Sequence, residues 1–243
     1  MSNTLTIENK HNFVDLLLNT IGKVTEDCIL QLTPERITSL CSTSDGTLIQ
    51  YIILKNKNGF EQTLNIPDIK RLHKIVGCVN EDKITLNVTD NNISYNSPQT
   101  RFKFFLLDDG ILSGPAISVE KIANLTYDTE FTIDHTKIVE LVKGSTFANE
   151  SEKLYIFTDE KNDVYGELTD REKPNMDSFC IRLTEANETP IKPLAFNFEN
   201  IRIVSSTRCD KLTFRVNNEL SVVRVDILHD SCKISYIISA LIK

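Results

Sequence analysis

Apolar side chains recur along this chain in two rhythms. Between Lys10 and Ile21, residues Phe13, Leu16, Leu17 and Ile21 fall three and four apart, the spacing of a helix with one face turned to a core, and Gly22 ends it. Strands follow at Cys28–Leu32, Ile37–Cys41 and Leu48–Leu54, parted by the turn formers Thr33-Pro34-Glu35 and Ser44-Asp45-Gly46. Asn58-Gly59 signals a hairpin before a strand over Phe60–Ile66. Pro67 opens the next helix, which turns Ile69, Leu72, Ile75 and Val76 inward and Lys70, Arg71 and Lys74 outward. Strands Lys83–Val88, Asn92–Asn96 and Thr100–Leu107 complete this half.

Residues 109–126 contain Gly110, Gly114 and Pro115 and are expected to connect two domains, 1–108 and 127–243. The second domain repeats the order of the first. A strand at Thr129–Ile133 leads to a helix over Thr136–Phe147 with Ile138, Leu141 and Val142 inward. Strands follow at Lys153–Thr158, Asp163–Thr169, Ser178–Thr184 and Pro193–Asn197, then a helix at Phe198–Ser206. The last strands are Lys211–Val216, Leu220–Ile227 and Lys233–Leu241. Asp82-Lys83-Ile84-Thr85 in the first half answers Asp210-Lys211-Leu212-Thr213 in the second, and Val14-Asp15-Leu16-Leu17 answers Val139-Glu140-Leu141-Val142. The pattern predicts an α+β chain in which one supersecondary unit is written twice.

Charge alters what that fold is expected to do. The chain of 243 residues carries a formal net charge of −7, which argues against a nucleic-acid ligand. The distribution argues the other way. The four helical windows hold nine cations, Lys10, Lys23, Lys70, Arg71, Lys74, Lys137, Lys143, Arg202 and Arg208, against four acids. Elsewhere eighteen cations face thirty acids. Cations on any one helix are ordinarily a solvated face. Four positive helices in an acidic chain instead suggest a shared phosphate-facing surface, which positions a protein on DNA without reading its sequence. With no Trp, and aromatics embedded in strands, duplex is favoured over single-stranded DNA.

Six isolated cysteines, with no Cys-x-x-Cys pair, are expected to be small buried hydrophobes in a reducing cytoplasm rather than disulfides or zinc ligands. No apolar run reaches membrane-spanning length, and Met1–Lys10 lacks the pattern of a secretion signal. No His-Glu-x-x-His helix, phosphate-binding glycine loop or Gly-x-Ser-x-Gly elbow occurs, so neither an enzyme, a metal site nor a cofactor is expected. Asp108-Asp109 is more simply solvated loop than a metal pair, and His11 and His135, which each open a first helix, look like repeat equivalents near the DNA-facing side.

Three stretches, Phe13-Val14-Asp15-Leu16-Leu17, Leu40 through Ile49, and Ile69 through Val76, together with the duplicated architecture, resemble the DNA sliding clamps. The likeness is to proliferating cell nuclear antigen and the trimeric clamps of tailed phages, and it covers essentially the whole chain. It implies antiparallel sheets outside and helices inside a closed head-to-tail homotrimer around double-stranded DNA. It further implies a DNA polymerase tethered for processive replication, an ATP-dependent clamp loader, and residence in the cytoplasm, that of the host cell if the protein is viral. By position, Thr100–Leu107 with Arg101, Phe102 and Phe104, and Ser178–Thr184 with Phe179, Ile181 and Leu183, match the family's interface strands; otherwise both are interior strands. The positions matching the partner groove are Leu40, Thr43, Ile111, Leu112, Ala240, Leu241 and Ile242, of which Leu40 and the tail could equally be core. The alternative is a two-domain interaction or virion-assembly module with no DNA role; an enzyme using loop carboxylates is more distant.

Overall fold

The computed structural model describes residues 3–148, 150–185 and 187–241. The chain divides into two compact units, Met1–Val119 with His229–Ile234, and Glu120–Leu228 with Ser235–Lys243.

The first unit runs β1 (Asn3–Ile7), a π-helix (Asn12–Leu18) continuing into the short α1 (Asn19–Ile21), β2 (Cys28–Thr33), β3 (Arg36–Ser42), β4 (Leu48–Lys55) and β5 (Gln62–Ile66). Helix α2 (Ile69–Gly77) then leads to β6 (Ile84–Val88), β7 (Asn92–Asn96) and β8 (Arg101–Phe105). The strands lie antiparallel in the orders β1-β6-β7-β8 and β5-β2-β3-β4. Residues 229–234 belong here as well, where the Lys55 N–H donates to the Ser231 carbonyl at 2.8 Å.

Helix α3 (Val119–Ala123) sits within the stretch expected to be a plain connector. The second unit continues with β9 (Thr129–Asp134), α4 (His135–Gly144), β10 (Lys153–Thr158), β11 (Val164–Leu168) and β12 (Phe179–Thr184). It closes with β13 (Leu194–Asn197), α5 (Phe198–Ser205), β14 (Lys211–Asn217), β15 (Val222–Leu228) and β16 (Cys232–Ser239). Its strand orders, β9-β14-β15-β16 and β13-β10-β11-β12, repeat those of the first unit strand for strand.

The repetition extends to single hydrogen bonds. Lys10 N–H donates to Asp82 O at 2.7 Å, and His135 N–H to Asp210 O at 2.9 Å. Ile69 N–H donates to Glu26 O at 2.8 Å, and Phe198 N–H to Glu152 O at 2.9 Å. Each helix is thus tied at its start to the same neighbouring loop in both copies. Two similar α+β domains are what the duplicated pattern predicted.

The helices bury one face against the sheets. In α2, Ile69, Leu72 and Val76 are buried, as are Ile138 and Leu141 in α4 and Ile201 and Val204 in α5. Strand residues such as Leu30, Ile52 and Leu86 in the first unit and Ile156, Phe196 and Phe214 in the second are buried as well. Each such side chain contributes about 1.5–3 kcal/mol by leaving water.

Several expectations need correction. The first helix is a π-helix through most of its length, and its i→i+5 bonds widen the turn. The buried set is therefore Phe13, Val14, Leu17, Leu18 and Ile21, with Leu16 displaced to half-burial. Asn58-Gly59 makes no hairpin between β4 and β5, because β5 pairs with β2. Instead the Asn58 amide donates to Thr33 O and Arg36 O, bracing the β2–β3 turn, while Gly59 takes φ +75°. Asp68, and not Pro67, begins α2: its carboxylate caps the Arg71 N–H at 2.8 Å. Helix α4 stops at Gly144, short of Phe147, which is exposed. Strand β1 is an addition; Leu5 and Ile7 alternate with Thr4 and Thr6, and that signal was present in the sequence.

All six cysteines are free thiols. Cys28, Cys41 and Cys232 are buried as expected, whereas Cys78 and Cys180 are exposed and Cys209 is half-buried. The last three terminate a helix, lie on an edge strand and sit in a loop, places where the apolar-strand argument does not reach.

Candidate nucleic-acid and partner surfaces

The nine candidate cations have different surroundings. On α2, Lys70, Arg71 and Lys74 project from the face opposite Ile69, Leu72 and Val76, and all three are exposed. Lys70 and Lys74 form no ion pair among the described residues, and the Arg71 guanidinium lies 6.0 Å from the Phe104 ring. With Glu26, Pro67 and Asp68 they line an open concavity of about 480 Å³. Asp68 is occupied by its capping bond, so its charge is partly spent on the helix start. Three cations on adjacent turns can hold phosphate oxygens as mobile point contacts.

Lys10 and Lys23 are differently placed. The Lys10 ammonium donates to the Val79 carbonyl, a tie between the first helix and the end of α2. Lys23 lies in the turn after α1, half-buried, and burial holds its amine below the usual lysine range. In the second unit Lys143 and Arg208 are exposed, and Arg208 stands in the loop before β14 because α5 ends at Ser205. Lys137 is paired with Glu140 at 3.7 Å. Arg202 reaches Glu199 at 3.3 Å and Ser145 Oγ at 3.1 Å, and lies 4.8 Å over the Phe198 ring, which makes it a brace between α5 and the end of α4. His135 Nε2 lies 2.8 Å from Ser205 O, another tie between those two helices, while His11 lies beside Asp15.

Among the described residues, neither β8 nor β12 has a strand on its outer side. The alternative that both are interior strands is therefore set aside: each ends its row. On β8, Phe104 is 3% exposed and Phe102, stacked on Tyr95 at 5.7 Å, is half-buried. Arg101 and Lys103 point outward with Phe105, which is 63% exposed and absent from the sequence-based candidates. On β12, Leu183 is buried and Phe179 and Ile181 are half-buried. Phe104 and Leu183 are thus core residues at the strand edge rather than open surface.

A groove of about 580 Å³ in the first unit brings Leu40, Thr43 and Leu112 together. It also takes in Val24, Glu26, Asp27, Ile29 and Pro115. Ile29 and Leu40 were detectable as apolar residues on the polar phase of their strands. The two acids carried no such signal. Ile111 is 61% exposed and outside the lining. Ala240 and Leu241 are placed in the second unit, their N–H groups donating to Ser221 O at 2.8 Å and Ala195 O at 2.7 Å. Leu241 lines a separate cavity with Phe198 and Arg202. Ile242 falls outside the described residues. At the groove's rim Asp45 accepts from both the Thr43 and Thr47 hydroxyls, at 2.6 and 2.9 Å, and these bonds, Thr43's foremost, hold its carboxyl below the usual aspartate range.

No group of three His, Cys, Asp or Glu side chains that could hold a metal ion occurs among the described residues, and no described helix is long and apolar enough to cross a membrane. The Asp109 carboxylate of the Asp108-Asp109 pair accepts from the Asn65 amide at 2.8 Å.

No family model matches the chain, and no curated protein matches it. Solved structures do. Proliferating cellular nuclear antigen from Entamoeba histolytica superposes with a TM-score of 0.74 over 99% of both chains at 14% identity. A. fulgidus PCNA, in a structure with the C-terminal region of FEN-1 bound, superposes with a TM-score of 0.77 over 99% of both chains at 15% identity. The chain therefore has the fold of the PCNA sliding clamps from end to end.

Proposed function

We propose that this protein is a sliding clamp: three copies close head to tail around duplex DNA and tether a DNA polymerase, making replication processive. The observation that carries the reading is a full-length clamp fold in which β8 and β12, the strands matching the family's interface by position, each end a four-stranded sheet. On this reading β8 of one copy pairs with β12 of the next, a heterologous contact that can close into a ring.

Retention on DNA is topological, so phosphate contacts such as those of Lys70, Arg71 and Lys74 need only be weak and mobile. Lys143 and Arg208 are the second unit's candidates for the same role, with Lys10, Lys23, Lys137 and Arg202 in supporting structural positions. The groove around Leu40, Thr43 and Leu112 is the docking place for a polymerase segment. The sequence carries no nucleotide-binding signature, so an ATP-dependent loader is assigned the opening of the ring. The scaffold does no chemistry of its own.

Loading the protein onto nicked circular DNA and then cutting the circle tests this directly. A clamp stays with the circle through gel filtration and is released when the DNA is linearised. Equal retention on both forms would exclude encirclement and leave a simple surface binder; no retention on either would leave the two-domain interaction module.

A further inference from the structure

We propose that the joint between copies is latched by charge: Arg101, at the start of β8 in one copy, enters the acidic cleft beyond the end of β12 in the next, where Asp128 and Glu188 receive it. The inference rests on the ring reading above and supplies its specificity.

The cleft holds about 650 Å³ beside the end of β12, and its lining includes Asp128, Glu130, Glu185 and Glu188 with one cation, Arg215. Arg215 is already committed to Glu130 and to Asp226. Glu185 is paired with Arg182 at 2.9 Å. Asp128 accepts the Asn218 backbone N–H and meets no cation among the described residues, and Glu188 has no partner among them. Two carboxylates in a concave lining therefore lack a counter-charge. Arg101 is exposed and likewise without a partner among the described residues.

Strand geometry brings these groups together. Every strand pairing described above is antiparallel, and an added strand is expected to follow suit. Phe102 and Phe104 face the core side of β8, as Ile181 and Leu183 do on β12. Matching those faces pairs odd residues of β8 with even residues of β12, since a slip of one residue would turn every side chain over. Complete overlap of the shorter strand then sets Phe105 opposite Cys180 and Lys103 opposite Arg182, and brings Arg101 to the bulged end of β12 at Leu183 and Thr184. Thr184 is itself part of the cleft wall, so Arg101 stands at the cleft mouth. Arg182 is neutralised by Asp163 and Glu185, which relieves its apposition to Lys103. The exposed Phe105 ring covers Cys180 and leaves water.

Two measurements on the full chain test the latch. Sedimentation equilibrium at low salt should show Arg101→Glu, and separately Asp128→Lys with Glu188→Lys, each weakening self-association by roughly tenfold, with the combined charge swap restoring most of it. High salt should shrink the differences, because screening acts within about 8–10 Å. Second, Phe105→Cys should form an intermolecular disulfide with the native Cys180 under mild oxidation, while Phe105→Ser forms none. A disulfide without any charge-swap effect would overturn the latch and leave the ring standing. A charge-swap effect without the disulfide would overturn the register and with it the placing of Arg101. A monomer at every concentration, with no disulfide, would bring down the ring reading and the latch together.

Discussion

The Phe179 ring occupies the space in which Gly144 would carry a side chain: a Cβ built on Gly144 falls 2.0 Å from Phe179 Cδ1 and 2.3 Å from Cε1. The end of α4 and the first residue of β12 are thereby keyed together. In an exposed helix position Gly→Ala is worth about 1 kcal/mol of stabilisation. Here overpacking opposes it at about 1–3 kcal/mol, and the ring is part of a strand and not a flexible end. Gly144→Ala is expected to lower the urea midpoint and, by shifting β12, to weaken self-association. A raised midpoint would show that the ring moves aside freely.

Cations that are unpaired and cations that brace the fold should separate on mutation. Replacing Lys70, Arg71 and Lys74 with Ala should reduce the salt slope of DNA affinity by about 0.9 for each phosphate no longer neutralised, without changing the assembly state. Lys137→Ala with Arg202→Ala should leave that slope nearly unchanged, and Arg202→Ala should lower stability because its packing against Ser145 and Phe198 disappears. Filter binding across a salt series distinguishes the two sets, and identical slopes would remove α2 from the DNA face.

Asp45 should make the groove rim acid-sensitive. Its carboxyl titrates below its ordinary 3.8 because the Thr43 and Thr47 hydroxyls and the Thr47 N–H favour the ionised form. A depressed folded-state value contributes stability that is complete above the unfolded value and disappears as pH falls through the folded one. The β3–β4 loop is therefore expected to hold its shape at neutral pH and loosen below about pH 4. Carboxyl chemical shifts of Asp45 followed by NMR would check this, and Thr43→Val should move the titration upward. A titration at or above 3.8 in the intact protein would contradict the bonding described.

The thiols should divide sharply by reactivity. Burial pushes Cys41 and Cys232 up to about 12, and Cys209 to about 11, with Asp210 adding to the latter. Cys78 and Cys180 are exposed. Brief alkylation of the native protein, read by peptide mass spectrometry, should mark Cys78 first, then Cys180, whose thiol is pushed up by partial burial and by Glu167, and leave Cys28, Cys41 and Cys232 intact until denaturant is added. If copies assemble as proposed, Cys180 should become protected while Cys78 does not.

Much of the architecture was written in the order of apolar residues. Strands β3 and β4 were legible to within a residue at each end because alternation and the flanking Thr33-Pro34 and Asp45-Gly46 turns agree. The first helix was legible as a helix but not in its winding, since Phe13, Val14, Leu17 and Leu18 suit a wide turn almost as well as a regular one. Phe105 escaped because Arg101-Phe102-Lys103-Phe104-Phe105 has an aromatic on both phases, and only the sheet says which phase faces out. Charge counted along helices singled out nine cations without regard to their surroundings. It could not distinguish Lys74, which is open to solvent, from Lys10, whose ammonium is spent on Val79. The Asp128–Glu188 cleft was illegible for a different reason: its acids come from segments about sixty residues apart in the chain.

Two open strand rows have a consequence for the solitary polypeptide. On the proposed assembly, a copy without neighbours displays backbone donors and acceptors that any extended chain can satisfy, and a head-to-tail addition that fails to close propagates as a filament. Arg101 and Lys103 on the outer side of β8 act as wardens, since an uncharged intruder would strip them of water without repaying it. Edge-to-edge addition in that assembly depends on concentration, so dilution leaves copies single with both edges open, and crowding is what invites misdirected pairing.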